Sequence, residues 1–210
     1  MIALLSAIAL ASAALHVRAE YRGPRSHVYA FKPLTTGCLL GIALVSDPSA
    51  PHYRGLVAVG LVFSLAGDVF LMLPSDRFLA GLASFFVAHL CYIAAFVATT
   101  GPQASPAVLI PWLLAGAGIL ATLWPHFGAM RTPALLYVLA ILAMGWQATE
   151  QWAALRTDWA LCAMTGAVLF AISDSALGFD RFRGRFRAAP LVVLATYYSG
   201  QWLIALSTTG

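Results

Sequence analysis

Two aspartates stand where a charge is expensive. Asp68, in SLAGDVFLM, and Asp174, in AISDSALGF, each lie within a long apolar run. A charged side chain at the centre of a bilayer costs roughly 2.5–3.5 kcal/mol or more, so such residues are rare and tied either to a structural ion pair or to chemistry. Lys32, at the start of another apolar run, supplies a cation at a similar depth. Two carboxyl groups in one dry cavity separate into acid and base, because burial and mutual repulsion drive their proton affinities apart. General acid–base hydrolysis is one chemistry for such a pair. Proton-coupled transport or flipping of small amphiphiles is another.

The neighbours of these residues suit a buried site. Gly60, Ser64 and Gly67 form a small-residue strip beside Asp68, while Ala167, Ala171 and Gly178 accompany Asp174. Small residues let membrane helices approach closely. Phe85, His89, Tyr92 and Phe96 follow a 4-3-4 spacing that places an imidazole and a phenol on one helical face. Tyr197 and Gln201 share a face at i and i+4, with Tyr198 beside them. Each residue also has a plainer reading: an aspartate pairing with Lys32 to fix helix register, or a histidine or tyrosine bonding between helices. Gln147 and Glu150 read as a polar span end, and the six tryptophans as mostly interfacial anchors. Cys38, Cys91 and Cys162 lie in separate apolar runs without metal-binding spacing.

The elements that carry these residues are membrane spans. Of 210 residues, 61% are hydrophobic and 10% charged, with a mean hydropathy of +0.84. A soluble domain carries about 25% charged residues. The apolar runs are continuous rather than alternating, which excludes a β-barrel. The fold class is therefore an all-α integral membrane protein, one domain of about eight transmembrane helices. The spans are placed near 1–15, 29–45, 55–73, 78–99, 107–123, 132–152, 158–178 and 188–207, the first and fifth being short. Turn chemistry separates them at Gly23-Pro24, Asp47-Pro48, Pro74-Ser75-Asp76, Gly101-Pro102 and Trp124-Pro125. The opening run has no basic residues before it and reads as a span rather than a cleaved signal.

Ten of the twelve basic residues fall on one side of this arrangement, leaving Arg54 and Arg156 on the other. The positive-inside rule then puts that side in the cytoplasm and both termini outside. Net charge of +4 is thus topological, and no nucleic-acid partner is expected. The Arg181, Arg183, Arg185 and Arg187 cluster follows from the same rule, with phosphate binding as its second reading. The two Asp segments, together with Lys32-Pro33 and Thr132-Pro133, echo each other at an offset of four spans. That echo is consistent with two parallel four-helix repeats. Plentiful Ala and Arg with little Lys fit a bacterial inner membrane.

Taken in order, Lys32-Pro33, SLAGDVFLM (Ser64 to Met72), the Phe78-Gly81-Phe85-His89-Tyr92 face, GAVLFAISDSALG (Gly166 to Gly178) and Tyr197-Tyr198 with Gln201 resemble the YhhN-like lysoplasmalogenase family. The likeness runs from Tyr29 onward. It implies an eight-span enzyme that hydrolyses the vinyl ether bond of lysoplasmalogens, releasing a fatty aldehyde and glycerophosphoethanolamine or glycerophosphocholine. It implies that Asp68 and Asp174 are catalytic, with a lysophospholipid in the membrane as partner; no cofactor is expected, and no residue spacing announces a metal. Lys32, Ser64, His89, Tyr92, Tyr197, Tyr198 and Gln201 are the expected substrate-binding residues, and Phe63, Met72 and Phe85 are expected to flank the chain. Asp174 is preferred as the acid and Asp68 as the base, since Lys32 would keep Asp68 ionised. A carrier or an inert scaffold are the competing classes.

Overall fold

A computed structural model describes residues 1–46 and 51–210, so the turn expected at Asp47-Pro48 lies outside the described residues. Eight long helices run through the described residues: α1 (Ile2–Arg22), α2 (Arg25–Val45), α3 (Pro51–Met72), α4 (Phe78–Thr100), α5 (Pro106–Leu123), α6 (Arg131–Leu155), α7 (Asp158–Gly178) and α8 (Ala189–Leu206). All eight are long and apolar enough to cross a membrane, and the described residues contain no strand. This is an all-helical integral membrane protein.

The breaks follow the expected chemistry. Pro24 precedes α2, Pro106 opens α5, and Gly101 ends α4 at φ 72°. Thr157 caps α7 by accepting from the Ala160 N–H. Helix ends depart from hydropathy mainly at α1 and α2. The first helix continues past Leu15 to Arg22, and the second begins at Arg25 rather than Tyr29. Hydropathy marks only the length inside hydrocarbon, whereas backbone hydrogen bonding carries a helix onward until Gly23-Pro24 stops it. Helix α1 is therefore not short, at 21 residues, whereas α5 keeps nearly its expected bounds at 18. Lys32 accordingly sits two turns inside α2. Pro33 follows it within the helix and lacks the N–H that would bond to the Tyr29 carbonyl.

Helix α3 packs along α4, α7 along α8 and α1 along α2, while α4 also meets α6. Helices α7 and α8 approach backbone to backbone, where a Cβ added at Gly166 would lie 2.6 Å from the Gly200 carbonyl oxygen. Between α3 and α4, Gly60 receives the ring of Tyr92 and Gly67 that of Phe85. Here the small-residue strip beside Asp68 seats aromatic rings. Tyr92, Phe96, Phe170, Met144 and Ile204 fill the shared core. Helix α5 lies at the periphery, with only Gly116 and Leu123 buried.

Three tryptophans donate hydrogen bonds to other side chains. Trp112 donates to Thr149, Trp146 to Glu150 and Trp202 to Ser6. Glu150, expected at a polar span end, is only 3% exposed. The α4–α5 connection folds over it, so the backbone N–H and hydroxyl of Ser105 donate to its carboxylate at 2.6 and 2.8 Å.

Candidate active site

Asp68 lies about one turn from the end of α3 and is 1% exposed. Two elements surround it with donors. From α2, Lys32 Nζ stands 3.4 Å from Oδ1 and Thr36 Oγ1 donates to Oδ2 at 2.6 Å. These two residues are i and i+4, so one face of α2 presents both. From α8, the Tyr197 hydroxyl donates to Oδ2 at 2.8 Å.

Asp174, one turn before the end of α7, has poorer company. The Tyr137 hydroxyl of α6 donates to its Oδ2 at 2.7 Å, and His89 Nε2 of α4 lies 3.6 Å away, longer than a direct hydrogen bond. The Asp174 side chain is 7% exposed, and His89 is fully buried. A run of edge-to-face rings links the two carboxylates. Tyr197 packs on Phe170 at 5.4 Å, Phe170 on His89 at 4.8 Å, and His89 on Tyr137 at 5.2 Å.

Both aspartates, with Lys32 and Tyr197, line one cavity of about 590 Å³. It lies at the end of the bundle that carries the arginine-rich α7–α8 connection, and Arg77, Arg183 and Arg185 also line it. Arg181 is already engaged. Its guanidinium meets Asp76 at 2.6 Å and lies 4.7 Å over the Phe78 ring, joining the α3–α4 and α7–α8 connections. That guanidinium holds the Asp76 carboxyl below the usual range. The helical path of α7 runs on as a π-helical turn over Phe179–Arg183, and Asp180 accepts from the Phe186 N–H to fold the connection back.

The remaining expected residues separate into other groups. Tyr92 donates to Gln201 at 2.8 Å and lies 3.4 Å from Ser64, forming a buried cluster that does not line the cavity. Tyr198 turns toward α1, where His16 Nδ1 is 2.7 Å from its hydroxyl and His16 Nε2 is 3.3 Å from Glu20. Phe85 lines the cavity, but Phe63 and Met72 do not.

Sequence reasoning missed Thr36, Tyr137 and the His16–Glu20 pair. Two of these carried a signal: Thr36 follows Lys32 by four residues, and Glu20 follows His16 by four. Tyr137 carried none beyond being a phenol in an apolar run. Among the described residues no cluster of three or more His, Cys, Asp or Glu could hold a metal.

Such a site offers two carboxylates with unlike hydrogen bonding, one ammonium and an entrance edged with guanidinium groups. Known proteins resemble this chain over most of its length. Residues 28–208 match the YhhN family. The chain is 36% identical to the uncharacterized membrane protein YhhN of Escherichia coli, covering 93% of this chain and 94% of that one. It is 35% identical to the human lysoplasmalogenase TMEM86B over 84% of this chain and 73% of that one. It is also 35% identical to a lysoplasmalogenase of Mycobacterium bovis, over 79% of this chain and 64% of that one. No solved structure matches. By the extent of both kinds of match, the chain belongs to the YhhN family.

Proposed function

We propose that this protein is a lysoplasmalogenase, hydrolysing the vinyl ether bond of lysoplasmalogens to a fatty aldehyde and glycerophosphoethanolamine or glycerophosphocholine. The observation that carries this reading is one cavity lined by two carboxylates of unlike surroundings, in a chain similar over most of its length to curated lysoplasmalogenases.

A vinyl ether is cleaved by protonating its β carbon. The Asp174 carboxyl gives up that proton, and the ether oxygen's electrons stabilise the resulting oxocarbenium ion. Water adds to the cationic carbon and loses a proton to Asp68. The hemiacetal then collapses: Asp68 gives its new proton to the departing glycerol oxygen, the C–O bond to glycerol breaks, and Asp174 takes the hemiacetal hydroxyl proton, which restores both carboxyl groups with one water consumed overall. The assignment is supported by the hydrogen bonds. Asp68 has an ammonium and two hydroxyl donors, which favour the carboxylate form. Asp174 has one hydroxyl donor and a histidine beyond hydrogen-bond reach. General acid catalysis contributes about 10²–10⁴-fold, and the Asp68 carboxylate adds electrostatic stabilisation of the cation.

Lys32 and Tyr197 are the substrate-facing residues of this scheme, since both line the cavity. His89 packs against Tyr137 and Phe170 behind Asp174. Ser64, Tyr92 and Gln201 support the α3–α4–α8 junction, and Tyr198 joins α8 to α1. Arg77, Arg183 and Arg185 at the entrance suit the phosphate of the headgroup. In this reading the cavity faces the cytoplasm, with both termini on the far side of a bacterial inner membrane.

Purified protein in detergent, given a lysoplasmalogen, its saturated-ether analogue and its ester analogue, should release aldehyde from the first alone. Absence of aldehyde with folded protein would refute the activity.

A further inference from the structure

Asp174 stands on the wall between two spaces of opposite character. One is the polar cavity just described. The other is a narrow cleft of about 50 Å³ between α4, α5, α6 and α7. Leu82, Ile119, Val138, Ile141 and Leu142 wall it, and its polar side chains are Asp174, Ser175 and Tyr137. Phe78, Asp174, Leu177 and Phe182 line both spaces.

A lysoplasmalogen is divided in the same way. On one side of its ether oxygen lie glycerol and a charged headgroup, and on the other an uninterrupted hydrocarbon chain. The bond to be broken is the junction. From this correspondence we infer that the cleft between α4, α5, α6 and α7 holds the start of the aldehyde-forming chain, with Val138 and Leu142 setting which chains fit. This inference rests on the hydrolase reading above and adds to it the site of chain selection.

The depth of the wall residues gives the cleft a direction. Leu82 and Ile119 each lie one turn from the cavity-side end of their helices, and Val138 two turns into α6. Leu142 lies one turn deeper again. There Gly116 of α5 admits the Leu142 side chain, which a Cβ would strike, so α5 closes against α6. Beyond that point the chain leaves beside α5, whose outer face carries the exposed Leu113 and Leu114. A larger apolar groove of about 450 Å³ runs between α1, α2 and α8, past Ala195, Tyr198 and Trp202, but no carboxylate lines it. A chain lying there would leave its vinyl ether away from both aspartates.

The test is a competition between long-chain and short-chain lysoplasmalogens in one reaction, reading the ratio of the two aldehydes. That ratio does not depend on how much of a variant is folded. Val138→Trp should lower the long-to-short ratio about tenfold, as expected when roughly two methylenes lose contact. Leu142→Ala should raise it, and Ala195→Trp in the α1–α8 groove should leave it unchanged. An unchanged ratio in Val138→Trp and Leu142→Ala, or a shift in Ala195→Trp alone, would overturn the chain site while leaving the activity in place. No aldehyde of either length from the wild type would overturn the activity, and the chain site with it.

Discussion

Glu150 and Asp174 are both carboxylates enclosed in an apolar bundle, near opposite ends of it, yet their surroundings differ in kind. Glu150 receives the Ser105 N–H, the Ser105 hydroxyl and the Trp146 indole N–H at 2.6, 2.8 and 3.1 Å. It lines neither the polar cavity, nor the cleft beside Asp174, nor the α1–α2–α8 groove. Its bonding capacity goes into fixing the α4–α5 connection to α6. Asp174 receives one hydroxyl and opens on two spaces, one polar and one apolar. Burial of a charge in a membrane protein therefore does not by itself mark an active site. What distinguishes Asp174 is bonding capacity left free toward a space that a substrate can enter.

The sharpest way to break this comparison is substitution at the open carboxyl. Asp174→Asn should cost about 10²–10⁴-fold in kcat for aldehyde release while leaving the melting temperature nearly unchanged. A loss of stability without loss of turnover per folded molecule would reverse the roles of Asp174 and Glu150.

Next in size is the pair that joins the two functions. Lys32→Met leaves Asp68 enclosed without its cation and should destabilise the protein by about 3–5 kcal/mol. Lys32→Met combined with Asp68→Asn should recover most of that loss in denaturation experiments. An additive double variant would show that the 3.4 Å approach of these groups carries no energetic coupling.

At the closed end, Glu150→Gln removes a charge that three donors face and should cost about 1–3 kcal/mol. Its kcat should match the wild type, so a stability measurement and an aldehyde assay together separate it from Asp174. Smallest is Tyr198→Phe, which removes the hydroxyl beside His16 and should lower stability by about 1 kcal/mol with little change in turnover.

Much of this arrangement was legible in the residues. Asp68, Asp174 and Lys32 stood out because charge within an apolar run has few explanations, and their depth along the spans brought them to one end. Helical spacing gave faces correctly for Phe85, His89, Tyr92 and Phe96, all of which are buried. It did not give neighbours. Tyr92 and Gln201 bond to each other rather than line the cavity, because a face fixes direction around a helix but not which other helix stands there. Tyr137 reaches Asp174 from the preceding helix, but one phenol in an apolar run does not say which way it faces, and Thr36 and His16 are residue types whose meaning comes only from their partners. On the first helix, His16 takes its meaning from Tyr198, on the last helix.

The most direct test compares initial rates of aldehyde release from lysoplasmalogen by wild type, Asp68→Asn, Asp174→Asn and Glu150→Gln, each corrected for its folded fraction by thermal denaturation. The account predicts near-complete loss in both aspartate variants and a wild-type rate in Glu150→Gln. A wild-type rate in either folded aspartate variant would contradict it.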